Sequence, residues 1–318
     1  MLTALLLFVV FVVLNNASFL AEPTTTEVTL IAHRGLGQAY DREGLTGKTC
    51  TAARMIPTGH ATIENTIPAI RAAIGYGADI IEIDLQRTAD GRFAIFHDWV
   101  LDCRTNGTGV TREHTLEALQ KLDVGYGYTP DGGKTWPLRG QGVGLMPSLD
   151  EVLSTFPDQS FFLDIKSNDA SEGEMLADRL AALPTERARQ IIVHGGPGPV
   201  DVVRDRLPHV RTITRRDLKQ CLLRYIALGW SGSVDSSCER SALLIPHNVA
   251  PWLWGWPHRF QQRMASVGTT VAVMGDYEGG KFSSGFDDPE RLSELPDDYR
   301  GGIWTDRIDL IGPAIDER

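Results

Sequence analysis

Cysteine is scarce: four in 318 residues, with no CxxC pair and no Cys/His spacing that would hold zinc. No GxGxxG turn follows the first apolar run, which excludes the usual dinucleotide cradle. Positive charge is also short. The 31 Lys and Arg against 41 Asp and Glu leave a formal charge of -10, which opposes non-specific binding to nucleic acid or to an anionic membrane surface. No internal repeat or low-complexity tract divides the chain, and 42% hydrophobic content is enough for one large core. A membrane-spanning run is missing too. The N-terminal stretch 1–14 is apolar apart from Thr3, but as a helix it reaches only about 21 Å, short of a hydrocarbon core of about 30 Å. A secretory signal fits better, although no Lys or Arg precedes it and 15–21 lacks a clean small-x-small cleavage site. An uncleaved anchor that counts through to Ala21 is the alternative, and with it membrane association through the N-terminus. The polar stretch 22–26 reads as a linker, so 1–26 is expected to be a leader and 27–318 one folded domain of an exported, periplasmic or extracellular protein. Export permits disulfides, and Cys221 with Cys238 and Cys50 with Cys103 are the expected pairs.

What is present is alternation. From Glu27 onward short apolar runs alternate with amphipathic ones, the pattern of βα units around a parallel sheet. Strands are predicted at 28–32, 79–85, 93–96, 161–165, 190–193, 210–214, 243–246, 269–274 and 302–305. The clearest helix has Ile63, Ile67, Ile70 and Ile74 on one stripe, with Asn65 as N-cap, Pro68 in the first turn, and Gly75 and Gly77 as its stop. Further helices are predicted at 149–156, 172–183, 200–207 and 218–228. About eight such units over this length match a single-domain (β/α)8 TIM-type barrel, an α/β fold, with inserted βα loops at its mouth. The glycine-rich stretch 125–144 reads as one such insertion. Gly195-Gly196-Pro197-Gly198 reads as an ordinary βα turn.

One strand carries charge where a buried strand should be apolar. In Ile80-Ile81-Glu82-Ile83-Asp84-Leu85 the two carboxylates share a face, roughly 6.6 Å apart along the strand. Two negative charges about 4 Å apart repel by about 4 kcal/mol at an effective dielectric of 20, so a buried pair needs a cation or a proton. The same geometry recurs in Phe161-Phe162-Leu163-Asp164-Ile165-Lys166, where Asp164 and Lys166 share a face with Phe162. In a barrel the reactive mouth lies at the C-terminal ends of the strands. His33-Arg34 and His97-Asp98 follow two further strand candidates there. Carboxylates without cysteine or a histidine pair suit one hard divalent cation, Mg²⁺ or Ca²⁺. Arg34 and Lys166 are suited to a phosphate anion, and two imidazoles can exchange base and acid roles near neutral pH. Together these describe phosphodiester cleavage.

The ordered motifs are similar to those of the glycerophosphodiester phosphodiesterase family. They are His33-Arg34-Gly35, Glu64-Asn65-Thr66, Glu82-Ile83-Asp84, Thr88-Ala89-Asp90-Gly91, Phe96-His97-Asp98, Thr105-Asn106-Gly107, the run Pro147 to Leu153, Leu163-Asp164-Ile165-Lys166 and Gly302-Ile303-Trp304-Thr305-Asp306. The resemblance implies a TIM-type barrel and metal-dependent hydrolysis of a glycerophosphodiester to an alcohol and glycerol phosphate. It implies Glu82, Asp84 and Asp164 as metal ligands, His33 and His97 as the acid/base pair, and Arg34 and Lys166 at the phosphate. Glu64 would orient these groups or the substrate. Asp164 stands where the family usually has Glu, which keeps a sphingomyelinase D-type release of the head group, with a cyclic phosphate product, as the alternative. A non-catalytic lipid- or wall-binding barrel is the third reading. The segment 36–63 is longer than the family's turn and would lie over the mouth. The partner expected is a small-molecule or lipid-derived phosphodiester, not nucleic acid.

Each residue alone has a plainer reading. A lone His33 or His97 would be a satisfied structural histidine, Asp164 with Lys166 an ion pair, and Glu64 an early-helix acid favoured by the dipole. His60, His114, His194, His209, His247 and His258 carry no motif that marks them as catalytic. Trp252, Trp254 and Trp256 read as packing under a loop or as an apolar wall for a head group or acyl chain.

Overall fold

The computed structural model describes residues 1–46, 49–279 and 284–318. Eight strands run parallel: β1 (Thr29–Ala32), β2 (Ile80–Arg87), β3 (Ser160–Ile165), β4 (Ile191–Gly195), β5 (Arg211–Thr214), β6 (Ala242–Pro246), β7 (Thr270–Met274) and β8 (Gly302–Thr305). Their order is β5-β4-β3-β2-β1-β8-β7-β6. Between β5 and β6 the ladder gives way to single contacts. The Thr212 N–H donates to the Arg240 carbonyl at 3.3 Å, and the Ser241 hydroxyl donates to the Thr212 carbonyl at 3.1 Å. The result is a nearly closed barrel, as the alternation predicts.

Alternating side chains divide β2 between two environments. Ile81, Ile83 and Leu85 face outward into the core shared with Ile70, Ala73, Leu149 and Val152. Ile80, Glu82 and Asp84 face inward. The inner floor is apolar, with Ile80, Phe162, Ile192, Ile213 and Trp304 in one cluster, so charge is confined to the upper layer. Helices Ile67–Gly75, Leu149–Thr155, Ala170–Ala181, Pro197–Arg206 and Arg215–Leu228 lie within a few residues of their expected bounds.

Three expectations need correction. Phe93–Ile95 is not a barrel strand but an antiparallel return on β2, pairing Leu85 with Ile95. Ile63 lies outside the helix and packs beneath the inserted loops with Met55, Phe96, Leu101, Tyr128 and Met146. Thr66, not Asn65, caps the helix, its hydroxyl accepting from the Ala69 N–H at 3.2 Å. Threonine bonds back to its own turn, which releases Asn65 for another purpose.

Both expected disulfides are formed, Cys50–Cys103 and Cys221–Cys238. The first ties the inserted segment after β1 to the loop after β2. That segment forms a short hairpin, Ala39–Tyr40 with Met55–Ile56, over part of the mouth. At the N-terminus the helix Leu2–Asn16 has few buried contacts along its length, but its end is anchored. The Asn15 and Asn16 amides donate to the Trp230 carbonyl, and Arg263 donates to the Asn15 carbonyl at 2.8 Å. Among the described residues no helix is long and apolar enough to cross a membrane.

Candidate active site

The strand register sets Asp84 of β2 directly beside Asp164 of β3, with Glu82 one inward position lower. One oxygen from each of these three carboxylates lies within 4.8 Å of the others. Asp84 is wholly buried and held on several sides. Asn65 donates to its carboxylate at 2.7 Å and accepts from its N–H at 3.0 Å, while Arg34 Nε lies 3.2 Å from Oδ2 and Lys166 Nζ 2.5 Å from Oδ1. Burial opposes its ionisation, yet Lys166 and Arg34 outweigh burial and hold the group well below the usual carboxylate range. Glu82 goes the other way. Burial, and then the charge of Asp84, push it well above the usual range although the Arg34 N–H donates to Oε2 at 2.9 Å. The site therefore carries one more buried carboxylate than its cations balance, which suits a hard divalent ion bound by oxygen.

Asp164 accepts from both neighbours. His194 Nδ1 is 2.7 Å from Oδ1 and the Lys166 ammonium contacts Oδ2, so Asp164 is held below the usual range despite burial. Arg34 reaches its place through a left-handed turn after β1, with φ of 60° at Arg34 and 74° at Gly35. Any side chain at position 35 would strike the Ala69 backbone at 2.9 Å, so only glycine lets the helix close against the mouth.

The two predicted histidines arrive by different routes. His33 ends β1, where its Nδ1 contacts Asp306 at the end of β8 and its Nε2 lies 3.8 Å from Glu82. Asp306 is also held by the Arg42 guanidinium from the inserted segment. His97 is returned to the mouth by the antiparallel strand, and the adjacent Phe96 N–H donates to the Asp84 carbonyl at 3.0 Å. Its Nδ1 bonds Asp98 at 2.7 Å. Burial, then the charges of Arg34 and Lys166, lower its pKa to about 4, so the ring is neutral at pH 7.

Glu64 lies before the helix rather than in its first turn, and is buried between Arg34 at 2.8 Å and Arg104 at 3.1 Å. Arg104 also donates to Asp98 at 2.9 Å. Thus Glu64, Arg104 and Asp98 connect Arg34 to His97. All eight residues singled out from the sequence meet at one mouth. His194, Arg104, Arg42 and the bridging role of Asn65 were missed, and Asp98 and Asp306 were named within their motifs without a role. His194 and Asp306 could have been found by the rule that located His33, since both stand at C-terminal ends of strands.

Two cavities flank the carboxylates. One, of about 220 Å³, opens at Arg34 and is lined by His33, Tyr40, Arg42, Glu64, Asp287 and Asp306 among others. The other, of about 360 Å³, opens at Lys166. No tryptophan lines either. Trp256 packs on Phe260 and Tyr299, and Trp254 Nε1 donates to the Ile226 carbonyl at 2.8 Å, so the head-group wall is not observed.

Residues 33–189 match the model of the Glycerophosphoryl diester phosphodiesterase family. The glycerophosphodiester phosphodiesterase of Bacillus subtilis (strain 168) is 36% identical over 142 residues, which cover 43% of this chain and 46% of that protein. The chain thus spans less than half the length of that relative. Among solved structures, the glycerophosphodiester phosphodiesterase of Agrobacterium tumefaciens str. C58 superposes with a TM-score of 0.58 at 20% identity, over 90% of this chain and 99% of that one. An Oleispira antarctica phosphodiesterase, solved with the product sn-glycerol-3-phosphate, gives 0.54 at 18% identity, over 91% and 96%. The solved structures show the barrel fold alone, and it is the sequence match over residues 33–189 that places the chain in the glycerophosphoryl diester phosphodiesterase family.

Proposed function

We propose that this protein hydrolyses glycerophosphodiesters to an alcohol and glycerol phosphate, with one divalent cation held by Glu82, Asp84 and Asp164. The observation that carries this reading is Asp84 clamped between Arg34 and Lys166, with His33 and His97 on the same mouth. The sn-glycerol-3-phosphate bound to the Oleispira antarctica relative supports the substrate class. A bound divalent ion would supply positive charge to a phosphoryl oxygen. Arg34 and Lys166 would hold the other phosphate oxygens as charge-assisted donors. A neutral His97 is fitted to accept the proton of the attacking hydroxyl, from water or from the substrate's neighbouring carbon. The new P–O bond forms as the bond to the leaving alcohol breaks, and His33, oriented through Nδ1 by Asp306, gives a proton carried on its Nε2 to the leaving oxygen, while the proton taken up by His97 is later released to solvent. Two disulfides support an exported protein.

The test is turnover of glycerophosphocholine and glycerophosphoethanolamine with and without chelator, in the wild type, His33→Ala and His97→Ala. Loss of activity on chelation, restored by Mg²⁺ or Ca²⁺, is expected. Full activity after metal removal would sink the metal assignment. Undiminished turnover in either histidine variant would sink the acid/base pair. Phosphorus NMR identifies the product: a persistent cyclic phosphate would assign the head-group-releasing chemistry instead.

A further inference from the structure

Arg34 faces one cavity and Lys166 the other, with Asp84 between them. A diester whose phosphate sits on these two cations must send its two arms into opposite cavities. On the Lys166 side the lining is Asp164, Lys166, His194, Arg215, Arg216, Thr214 and the turn from Gly195 to Pro197 with Ile165. Its charges are unevenly committed. Lys166 is engaged by Asp84 and Asp164, and Arg216 by Asp201 at 3.3 Å and Asp217 at 3.4 Å. The one lining carboxylate, Asp164, is occupied by Lys166 and His194. Arg215 has no hydrogen bond or ion pair with any described residue, and it is exposed and lines this cavity. Among the described residues no Phe, Tyr or Trp lines this cavity, so they offer no aromatic face to a quaternary ammonium.

We propose that the cavity on the Lys166 side selects a diester arm that carries its own anionic group, a carboxylate or a second phosphate, and that Arg215 is the residue that reads it. An unpaired guanidinium is a fork for an anion's two oxygens. The same cavity offers a choline group neither a free carboxylate nor an aromatic wall. This selectivity rests on the phosphodiesterase reading above.

Glycerophosphoserine and glycerophosphoethanolamine differ only in one carboxylate, so the ratio of their kcat/KM values isolates the effect. In the full chain with Mg²⁺ or Ca²⁺ the ratio should favour the serine diester. Arg215→Ala should lower it by about fivefold, mainly through KM, as expected for an exposed charge pair, and Arg215→Glu should invert it. A phosphorylated inositol diester compared with the unphosphorylated one reports the second-phosphate case in the same way. A wild-type ratio at or below one, or a ratio unchanged in both variants, overturns the proposal. If none of these diesters is turned over, the phosphodiesterase reading fails instead. Calorimetric binding of glycerophosphoserine and glycerophosphoethanolamine to wild type and Arg215→Glu then decides: tighter serine-diester binding lost in the variant supports the cavity's preference, and equal binding refutes it.

Discussion

β1 to β3 and β4 to β8 build the two sides of one mouth by different means. The first group supplies the three carboxylates, Arg34, Lys166 and, through the return strand, His97. The second supplies no residue of the carboxylate cluster but two that act from behind, His194 on Asp164 of the cluster and Asp306 on the neighbouring His33. The family match covers 33–189 and so ends just before β4. Groups that would face the proposed phosphate need one residue type at one position. Groups that orient them need only a donor or acceptor at the right distance, which several side chains can supply. The difference teaches that chemistry is concentrated where motifs are dense, while orientation is spread over the rest of the barrel.

The most direct way to break this comparison is to strike the dense side. Asp84→Asn keeps the side chain's shape but removes the charge that faces both cations. A fall in kcat/KM on the order of 10³-fold is expected, the several kcal/mol that a bound metal supplies. Isotope-labelled metal binding should weaken in parallel. A loss below tenfold would mean that Asp84 is structural. Next in size is Arg104→Ala, which leaves the buried Glu64 and the half-buried Asp98 without their shared cation. Breaking a buried charge network by removing one partner costs about 3–5 kcal/mol, so a large drop in thermal midpoint should accompany the loss of activity.

These two predictions also show what could be read from the chain. The doubled carboxylates of β2 and the Asp164–Lys166 pair were legible because charge two residues apart on an apolar strand has few explanations. The eight-strand barrel was legible because the alternation persists to the last strand. Asn65 was misread because asparagine before a helix is a good cap. The competing threonine at position 66 took that role, and a φ of 60° turned Asn65 toward Asp84 instead. His97 was placed at the mouth for the wrong reason. It follows not a parallel strand but an antiparallel return, and only that return brings it level with Asp84. Arg104 acts through Glu64, forty residues away in sequence, and one-dimensional spacing does not encode such a contact.

The disulfides sharpen the comparison at similar cost. Cys50–Cys103 closes a separation of 53 residues over the motif-dense side, and Cys221–Cys238 one of 17 behind the other. Loop-closure entropy gives about 4 kcal/mol for the longer and about 3 for the shorter. Replacing each pair by serine should lower the denaturation midpoint in that order, and only the first should also impair turnover, since it anchors the segment that brings Arg42 to Asp306. Equal loss of turnover in both variants would remove the link between inserted segment and site. A smaller effect is expected from Asp306→Asn, which leaves His33 in place but weakens the charge that orients it. A fall in kcat of about 10- to 100-fold with little change in KM is the expected signature, as for other supporting groups.

An effect that shows only as pH dependence lies at Asp287, whose Oδ1 accepts from the Thr305 hydroxyl at 2.9 Å and from the Asp306 N–H at 2.7 Å. Burial, and then the neighbouring Asp306 charge, raise its pKa to about 7. In the unfolded chain an aspartate titrates near about 3.9, so between these values the folded state binds the extra proton. Stability from this group is therefore complete below about pH 4, declines as pH rises, and is gone above about pH 7. Asparagine in its place keeps the accepting oxygen and cannot ionise. The midpoint of Asp287→Asn relative to wild type should thus climb steadily from pH 4 to pH 7 and then level off. A gap that is constant across this range would show that Asp287 does not share its burial with a charged Asp306, and would detach it from the orienting side of the mouth.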